Sequence, residues 1–392
     1  MKKIAVITGT RAEYGLLKPV MENIVKDEEL QLCLIVTGMH LSAQYGFTFH
    51  EIENDGFFID CKVEMSLENN TPYGISCAMG QEMVEMVKAF EKEKPDLVIL
   101  LGDRYEIESA AVSALVFNIP IAHIHGGELT EGLIDDGIRH SVTKMSMLHF
   151  TSTPESAKRV IQMGEEPERV FYVGALGTEN IKKLELYSRE GLCQEFGQCF
   201  AYPYLMITYH PVTLEQGLAR EQFTNLLKGL SDVEGYTFIF TYANADAEGA
   251  IINKMIEEYI DRFPGRGYAF VSMGQVGYLS ALKYCAAVVG NSSSGIIEAP
   301  SFHIPTVNIG NRQAGRIMGN TVICCDNSSE EIKRALSIAL SRDFMLCCKE
   351  TENPYEKEGT SDTIVKEIKK YLKSNSKFGK KFYDIDFDIE EQ

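Results

Sequence analysis

Short apolar runs alternate with longer stretches of helical period along most of the chain, and this alternation constrains the fold more than any other feature. In the first half, the runs that predict β-strands are residues 4–8, 32–37, 97–102, 119–123 and 148–151. The stretches between them that predict helices are residues 15–25, 80–90, 107–117 and 138–147. Strands that alternate with helices in this way are typical of parallel βαβ units.

The same pattern restarts after a polar connection at residues 180–200. The second set of predicted strands is 205–208, 238–242, 268–271, 286–290 and 306–309. The second set of predicted helices is 221–230, 249–259, 278–284 and 330–340, and a last amphipathic helix is predicted at 363–373.

A chain of 392 residues exceeds the size at which one hydrophobic core usually stops growing, roughly 250–300 residues. We therefore predict an α/β protein with two Rossmann-like, doubly wound domains and a central cleft. The N-terminal domain is expected at residues 1–180 and the C-terminal domain at 181–360. Residues 361–392 are expected to form a helix and tail that pack back on the N-terminal domain.

Charge and cysteine usage narrow the class of protein. The 38 basic and 56 acidic residues give a net charge of −18, which argues against nucleic acid as a partner because such a surface repels phosphates. No segment approaches the ~20 apolar residues of a membrane span, and the apolar run at residues 4–7 is too short for a signal peptide. The ten cysteines show no metal-ligand spacing, so we expect reduced, mostly buried thiols. We therefore expect a cytoplasmic protein. Because its net charge is strongly negative, an anionic ligand would need a locally basic pocket.

Ligands of parallel α/β sheets bind beyond the carboxyl ends of the strands, and polar residues follow the first two predicted strands. Residues 8–15, Thr-Gly-Thr-Arg-Ala-Glu-Tyr-Gly, combine small residues, a helix start and Arg11, which favours an anion site. The segment lacks the GxGxxG dinucleotide pattern, and an ordinary strand-to-helix turn is the alternative. His40 follows the second strand, either as a ligand-orienting or proton-transferring residue or as a structural histidine.

Two charged residues follow the third predicted strand directly. Asp103 is a candidate proton donor or acceptor, and Arg104 is a candidate phosphate contact or a modulator of its neighbour's pKa. A helix N-cap is the alternative for Asp103.

The fourth strand leads into His-Ile-His-Gly-Gly-Glu at residues 123–128. Alternation along an extended strand end places His123 and His125 on the same side, so metal binding is one interpretation. No third ligand stands at a familiar spacing, and we therefore predict acid–base chemistry and no metal. Glu128 and Asp135 are the expected carboxylate partners, with Arg139 as a counter-charge.

Polar residues also follow the strands of the second half. His210 stands at the tip of one predicted strand, and Asn244 follows another. The loop at residues 290–295, Gly-Asn-Ser-Ser-Ser-Gly, offers Ser292, Ser293 and backbone N–H groups to a diphosphate, with a flexible loop as the alternative. Glu298 is placed to accept hydrogen bonds from ribose hydroxyls, and Arg312 follows the next strand as a candidate phosphate ligand.

Taken together, these segments resemble the hydrolysing UDP-N-acetylglucosamine 2-epimerases. The resemblance covers nearly the whole chain in order, through residues 8–15, 36–40, 102–104, 123–128, 135–140, 210–213, 290–298 and 310–313. It implies a glycosyltransferase-B fold and the conversion of UDP-N-acetylglucosamine to N-acetylmannosamine and UDP for sialic acid synthesis, without cofactor or metal. In that reaction a base removes the C2 proton while UDP leaves, water adds to C1 of the resulting 2-acetamidoglucal, and a proton returns to C2 on the other face.

The resemblance also implies residue roles. The acid–base candidates are Asp103, Glu128, Asp135 and His210. The candidates for binding the substrate are Arg11, Ser292, Ser293 and Arg312 at the diphosphate, Glu298 at the ribose, and His40, Arg104 and Asn244 elsewhere.

One position departs from the family pattern, because many relatives read H-I-E-G-G-E where this chain has His125. Either His125 takes over a proton transfer, or the change accompanies a different sugar. The H-I-H-G-G-E form is similar both to sialic acid enzymes and to legionaminic acid enzymes, which act on 2,4-diacetamido-2,4,6-trideoxy sugars linked to UDP or GDP. We therefore count His125 among the candidate catalytic residues.

Three alternative functions stay open. The first is the same reaction on the nucleotide-linked diacetamido sugar, and the second is glycosyl transfer on the same fold. The third is a non-catalytic sugar-nucleotide sensor, which the many acid–base residues disfavour. A nucleotide sugar is the expected partner in each case, and we expect a homo-oligomer, either a dimer or a tetramer.

Overall fold

The structure, a computed structural model, describes residues 1–69, 71–130, 133–212, 215, 217–243, 248–374 and 379–386. The chain forms two compact units. The N-terminal unit comprises Met1–Glu128, Asp135–Leu176 and Lys357–Gln392, and the C-terminal unit comprises Leu129–Ile134 and Gly177–Glu356. Each unit is built on a parallel β-sheet with helices in its connections, which confirms the predicted α/β class with two doubly wound domains.

The sheet of the N-terminal unit has seven parallel strands within the described residues. In chain order they are β1 (Lys2–Thr8), β2 (Leu30–Val36), β3 (Cys61–Lys62), β4 (Leu97–Leu101), β5 (Ile121–Ile124), β6 (Leu148–Thr151) and β7 (Val170–Tyr172). They lie in the order β3-β2-β1-β4-β5-β6-β7. The order reverses between β1 and β4, and ligands of open α/β sheets bind beyond the carboxyl ends of the strands at such a reversal.

The sheet of the C-terminal unit has six parallel strands in the described part of the chain. They are β8 (Tyr204–Thr208), β9 (Thr237–Thr241), β10 (Gly267–Phe270), β11 (Ala287–Gly290), β12 (Thr306–Ile309) and β13 (Val322–Cys325). Their order is β10-β9-β8-β11-β12-β13, so the reversal lies between β8 and β11.

Helices occupy the connections of both sheets. Those before β8 are α1 (Arg11–Lys26), α2 (Phe49–Asn54), α3 (Pro72–Glu93), α4 (Tyr105–Val116), α5 (Ile134–Met145), α6 (Pro154–Gln162), α7 (Leu176–Lys183) and α8 (Arg189–Phe196). Those after β8 are α9 (Ala219–Gly229), α10 (Gly249–Arg262), α11 (Gly274–Tyr284), α12 (Ser294–Ile297), α13 (Ser329–Ala339), α14 (Arg342–Cys348) and α15 (Thr360–Lys373).

Burial explains why the central strands form continuous apolar runs. All five residues of β4, Leu-Val-Ile-Leu-Leu, are buried, and so are all five of β8, Tyr-Leu-Met-Ile-Thr. A parallel strand covered by helices on both faces has no solvent side, so it does not alternate apolar with polar residues. The polar residues are therefore concentrated where the strands end.

Three strands are missing from the sequence-based prediction. β3 has only two residues, one of them a lysine, β7 has three, and β13 contains two cysteines, so none forms a conspicuous apolar run. Several helices also begin earlier than predicted, and for two of them a capping threonine is the reason. α1 begins at Arg11 and α3 at Pro72, because Thr10 and Thr71 cap them by accepting hydrogen bonds from N–H groups in their first turns.

The terminal helix α15 lies against α1. Lys369 Nζ is 2.7 Å from Asp27 Oδ2, and the Asn23 side-chain amide donates to Asp362 at 2.8 Å. These contacts attach the end of the chain to the N-terminal unit.

A buried ion-pair network holds the segment that follows α15. The fully buried Glu165 carboxylate accepts hydrogen bonds from Lys144 Nζ and Lys380 Nζ, both at 2.6 Å, and is hydrogen-bonded to His149 Nε2 at 2.9 Å. Burial would raise the pKa of Glu165, but the hydrogen bond and charge of His149, together with the two lysines, outweigh it and lower the pKa to about 2. We call these four residues the Glu165 network.

The cysteines and helices bear on two further expectations. No disulfide forms among the described residues, which include all ten cysteines. Only four of the ten are buried (Cys33, Cys199, Cys285 and Cys348), so the expectation that most of them are buried is wrong. No described helix combines the length and the apolar character that crossing a bilayer requires.

Candidate functional site

The turn between β1 and α1 is fixed by a capping box. The Thr10 hydroxyl accepts a hydrogen bond from the Glu13 N–H at 3.3 Å, and the Glu13 carboxylate accepts from the N–H groups of Gly9 and Thr10 at 2.8 and 3.2 Å. Arg11 is the first residue of the helix and pairs with Glu51 at 3.8 Å. The predicted anion-binding turn thus has a defined backbone and carries Arg11 at the start of a helix.

His40 lies beneath this turn and is fully buried. Its Nε2 is hydrogen-bonded to the Thr8 hydroxyl at 3.1 Å and its Nδ1 to the Thr48 hydroxyl at 2.7 Å. Burial lowers the pKa of His40 to about 4, so the ring is neutral at physiological pH. These contacts engage both ring nitrogens and connect the end of β1 to the segment before α2. They favour the structural alternative, and the ligand role stays a prediction.

Arg139 joins the residues that follow β4 and β5. It is a buried side chain of α5 that forms a salt bridge with Asp103 and donates a hydrogen bond from Nη1 to the Glu128 carbonyl oxygen at 2.8 Å. The predicted counter-charge is therefore in contact with one predicted acid–base residue and with the backbone of another. The N-cap alternative for Asp103 is wrong, since the N-cap of α4 is Arg104.

The His-Gly-Gly-Glu turn after β5 is packed too tightly for larger residues at its centre. A Cβ added to Gly126 would lie 2.9 Å from the Thr143 hydroxyl, and one added to Gly127, which has φ +77°, would overlap the Ser156 carbonyl. His125 itself adopts φ +65°, a left-handed conformation that is uncommon outside glycine. Backbone strain of this kind is concentrated at functional sites.

This turn holds His125 and Glu128 close together. His125 Nδ1 is 4.0 Å from Glu128 Oε1, and its Nε2 accepts a hydrogen bond from the Leu176 N–H at 3.4 Å. Ser152 donates from its hydroxyl to Glu128 Oε1 at 2.6 Å. A buried imidazole and a buried carboxylate thus lie within one turn, and a hydroxyl that follows β6 contacts the carboxylate.

His123 does not share this environment. β5 ends at Ile124 and the chain turns at His125, so the strand alternation that would have put both histidines on one side does not extend that far. His123 is hydrogen-bonded to the Thr143 hydroxyl at 3.1 Å and to the Gly102 carbonyl at 2.8 Å. Burial lowers the pKa of His123 to about 3. Both ring nitrogens are occupied within the chain, which disfavours the metal interpretation of the H-x-H pair.

The first turn of α5 carries Asp135 and Asp136. Asp136 lies 3.5 Å from His140 Nε2, and both side chains are partly exposed. Arg139 lies on the same helix. The helix that follows the His-Gly-Gly-Glu turn therefore carries both a buried cation and an acidic first turn.

Three buried glutamates near the β1–β4 reversal were not predicted from the sequence. Glu13, Glu82 and Glu106 are at most 6% exposed, and Arg104 Nε donates to Glu106 Oε1 at 2.6 Å. Only Glu13 could have been recognised from the sequence, because Thr10 and Glu13 have the Thr-x-x-Glu spacing of a capping box. Glu82 and Glu106 lie within helical stretches where a glutamate is ordinarily a surface residue. We call the three the glutamate cluster.

In the C-terminal unit, Asn291 organises the residues that follow β8, β11 and β12. Its side-chain oxygen accepts a hydrogen bond from the His210 N–H, and its amide donates to the His210 carbonyl, both at 2.7 Å. Its own carbonyl accepts from Arg312 Nη1 at 3.2 Å and from the Gln313 amide at 2.9 Å. Two predicted site residues, His210 and Arg312, are thereby held by one buried asparagine for which no role was predicted.

Gly290 and the serines after it form the turn from β11 into α12. Gly290 has φ +137°, and an added Cβ would overlap the Thr208 carbonyl of the adjacent strand. Ser292 and Ser293 are partly exposed, and α12 begins only at Ser294 and is four residues long. The alternative of a flexible loop is disfavoured, since the neighbouring strand permits only glycine at position 290.

Glu298 is the residue that caps the C-terminus of the four-residue helix α12. Its carboxylate lies against the backbone of α7, where a Cβ added to Gly177 would overlap it. The Tyr278 hydroxyl lies near Ser294 and Thr208, and burial raises the pKa of Tyr278. Asn244, the remaining predicted binding residue, lies outside the described residues.

The sequence model of the family described as UDP-N-acetylglucosamine 2-epimerase matches residues 22–369. The chain belongs to this family. It is 40% identical to the polysialic acid biosynthesis protein P7 of Escherichia coli over 98% of both chains. It is 39% identical to the GDP/UDP-N,N'-diacetylbacillosamine 2-epimerase (hydrolyzing) of Campylobacter jejuni over 88% of both chains. A UDP-N-acetylglucosamine 2-epimerase of Neisseria meningitidis is 33% identical over 87% of this chain and 88% of its own.

Solved structures of this family share the fold. The S. aureus MnaA–UDP complex superposes with a TM-score of 0.79 at 17% identity, covering 95% of this chain and 97% of the other. The UDP-GlcNAc 2-epimerase of Neisseria meningitidis bound to UDP-GlcNAc gives a TM-score of 0.77 at 17% identity, covering 94% and 100%. The expected fold of the glycosyltransferase-B type is thereby confirmed.

Proposed function

We propose that the protein is a hydrolysing 2-epimerase that converts UDP-N-acetylglucosamine and water to N-acetylmannosamine and UDP. The observation that carries the proposal is the contact of Arg139 with both Asp103 and the Glu128 backbone, in a chain of this family. This contact brings two carboxylate-bearing turns to neighbouring strand ends, and the reaction needs two positioned acid–base groups.

The chemistry proceeds in two halves. In the first, a base removes the proton from C2 while the C1–O bond to UDP breaks, which leaves 2-acetamidoglucal and UDP. In the second, water adds its oxygen to C1 and a proton is delivered to C2 on the opposite face. Each positioned acid–base group typically contributes about 100- to 10,000-fold to the rate.

We assign the proton transfers to residues of the N-terminal unit. Asp103 is the first candidate base, because its buried arginine partner favours the ionised form. Glu128 and His125 form the second acid–base group, since the two side chains are 4.0 Å apart within one turn. Asp135, in the first turn of α5, and His210, held by Asn291, complete the candidate set.

We assign nucleotide binding mainly to the C-terminal unit. Arg312, Ser292 and Ser293 are the proposed ligands of the diphosphate, and Glu298 that of the ribose. The assignment is supported by the hydrogen bonds that Arg312 and Gln313 donate to the Asn291 carbonyl. These bonds fix the turn that carries Arg312 against the turn that carries the serines. Preorganised donors stabilise a departing diphosphate more effectively than mobile ones.

Arg11 and Arg104 are proposed to contribute positive charge from the N-terminal unit. Both stand at the start of a helix, directly after the two strands between which the sheet order reverses. Helix N-termini and arginines both favour anions.

Hydrolysis is favoured over epimerisation without hydrolysis because two relatives, at 39% and 36% identity, carry "hydrolyzing" in their names. The same two relatives motivate a second candidate substrate, a UDP- or GDP-linked 2,4-diacetamido-2,4,6-trideoxyhexose. His125, at the position where many relatives have glutamate, is the residue that we expect to face the sugar.

The decisive experiment uses each nucleotide sugar in heavy water. Free N-acetylmannosamine carrying deuterium at C2, formed together with UDP, supports the first candidate. Turnover of only the diacetamido substrate supports the second. Product without C2 exchange refutes proton abstraction at C2 for both, and transfer of the sugar to an acceptor without free epimerised sugar indicates a glycosyltransferase.

A matched pair of variants tests the assignment of the base. Asp103→Asn should abolish nucleotide release and retain UDP binding, whereas Asp136→Asn should retain both, because Asp136 lies against a partly exposed histidine while Asp103 forms a salt bridge with the buried Arg139 side chain. Full activity of Asp103→Asn would refute the assigned role.

A further inference from the structure

Two members of the glutamate cluster, Glu13 and Glu106, lie against Arg104 at the point where the sheet order of the N-terminal unit reverses. Glu13 belongs to the first turn of α1, Glu106 to α4, and Glu82 to α3. Arg104 Nε is 2.6 Å from Glu106 Oε1 and 4.0 Å from Glu13 Oε1. Two carboxyl groups, those of Glu13 and Glu106, thus lie beside one guanidinium, and the Glu82 carboxyl is buried close enough to both to be affected by their charge.

Glu106 connects the two turns physically. A Cβ added to Gly9 would lie 2.7 Å from Glu106 Cγ and 2.8 Å from Glu106 Oε1, so the glutamate lies directly against the backbone of the β1 turn. On the other side it holds Arg104. The same turn donates its Gly9 and Thr10 N–H groups to Glu13.

The cluster contains more carboxyl groups than these contacts can neutralise. If all three were ionised, one guanidinium would face three negative charges in a buried site, and burying an unpaired carboxylate is strongly unfavourable. Glu13 Oε1, Glu106 Oε2 and both oxygens of Glu82 are buried without a hydrogen bond of normal geometry. These oxygens therefore lack the partners that would stabilise three negative charges.

Burial accordingly favours the neutral acids. Burial and the charge of Glu106 raise the pKa of Glu13 to about 8, despite the opposing effect of Arg104 and two backbone N–H groups. Burial, and then the charge of Glu106, raise the pKa of Glu82 well above its ordinary value, while the hydroxyls of Thr37 and Ser109 oppose this. Arg104 is the cation that faces Glu13 and Glu106.

We propose that the glutamate cluster sets the charge of the anion-binding turns after β1 and β4, with Glu13 held as a neutral acid in the form of the protein that binds the nucleotide. Glu106 supplies the single negative charge that orients Arg104. Ionisation of Glu13 adds a second negative charge beside Arg104 and Gly9, and so weakens the binding of a diphosphate. The inference rests on the proposed nucleotide-binding function and adds to it a residue that acts through Arg104 and the turn.

The capping role of Glu13 does not depend on its charge. Either a carboxylic acid or an amide oxygen accepts hydrogen bonds from the Gly9 and Thr10 N–H groups. Glu13→Gln therefore keeps the cap and makes the neutral state permanent.

The test compares the affinity for UDP between pH 7 and pH 9 in three full-length proteins, by titration calorimetry. In the wild type, the affinity should fall about tenfold as Glu13 ionises, the effect of one charge about 10 Å away at an effective dielectric constant of about 20. In Glu13→Gln, the fall through pH 8 should be absent. The control is Glu85→Gln, which removes a partly exposed carboxylate of α3 paired with Lys88 and should follow the wild type.

The ligand's own titration is common to all three proteins, so only the difference between the curves matters. Parallel curves for the wild type and Glu13→Gln would overturn the inference while leaving the nucleotide site intact. Absence of UDP binding in every protein at every pH would overturn the proposed function, and the inference with it. If Glu13→Gln does not fold, the wild-type protein alone provides the second measurement: an affinity for UDP that does not fall between pH 7 and pH 9 would overturn the inference.

Discussion

The salt bridge between Asp103 and Arg139 makes separate predictions for stability and for activity. Arg139 is 2% exposed and Asp103 is 20% exposed at the side chain. Removing one partner of a buried ion pair typically costs about 3–5 kcal/mol, because the other charge is left without compensation. Asp103→Asn leaves the Arg139 charge, the more deeply buried of the two, without its partner. Because Arg139 keeps its hydrogen bond to the Glu128 carbonyl, we expect a loss of stability at the lower end of this range, about 3 kcal/mol.

The reverse substitution leaves a charge that water can partly reach. For Arg139→Met we expect a loss of about 2 kcal/mol, since the exposed part of Asp103 remains hydrated. The double variant contains neither charge, so it should be destabilised by only about 2 kcal/mol rather than by the sum of the two losses. The expected coupling is therefore about 3 kcal/mol.

Urea unfolding followed by circular dichroism measures the three free energies, and a nucleotide-release assay measures activity in parallel. For a unit of about 200 residues, 1 kcal/mol shifts the Tm by about 2–4 °C, so Asp103→Asn should lower it by about 6–12 °C. The double variant should regain stability but no activity, because the proposed base is still absent. As a control, Asp136→Asn should change stability by less than about 1 kcal/mol, as for other partly exposed pairs. Additive losses in the double variant would refute the ion pair, and recovered activity would refute Asp103 as the base.

Three further predictions concern the surrounding structure. Gly290→Ala should cost about 3 kcal/mol or more and weaken UDP binding, because the added carbon overlaps the Thr208 carbonyl at a strained φ; Gly197→Ala is the control, as it has φ +106° but open space, and equal losses would contradict the overlap. Asn291→Asp should cost about 1–3 kcal/mol and weaken UDP binding at neutral pH, because a carboxylate cannot donate to the His210 carbonyl; unchanged affinity and stability would contradict its organising role. The folded-state pKa of Glu165, about 2, is below its ordinary 4.5, so its ionised form stabilises the fold above pH 4.5, by about 3 kcal/mol, and this contribution is lost as the pH falls toward 2. Glu165→Gln should therefore be less stable than the wild type in urea at pH 7, with the difference shrinking between pH 4.5 and pH 2.5, and a difference independent of pH would contradict the assignment.

Periodicity was sufficient to predict the central strands and the class of fold. The central strands are buried, mainly apolar runs followed by small or polar residues, so both their presence and their ends could be predicted from the sequence. They are β1, β4, β5, β8 and β11. The edge strands β3 and β7 were not predicted, because two or three residues at the margin of a sheet need only backbone pairing and little burial. The beginnings of α1 and α3 were missed for a related reason, since a single capping threonine decides them.

The sequence was sufficient to place most of the candidate residues at the carboxyl ends of strands. Asp103, Glu128 and His210 follow predicted strands, and in parallel sheets all strand ends of one kind lie on the same edge. The environment of each residue was not predictable in the same way. His40 and His123 have the same local pattern as His125, yet the structure buries both with two hydrogen bonds each, whereas His125 lies beside Glu128.

The sequence by itself determined that two parallel α/β units would form and which turns would carry the polar residues, because hydrophobic periodicity and turn chemistry are local properties of the chain. Only the tertiary structure decided which of those residues meet. Arg139 reaches Asp103, Asn291 reaches His210, and Glu106 reaches Gly9 across separations of 36, 81 and 97 residues in the chain. The charge state of the glutamate cluster depends in turn on these contacts, because burial and neighbouring charges, neither of which is written in local sequence, set the pKa of a carboxyl group.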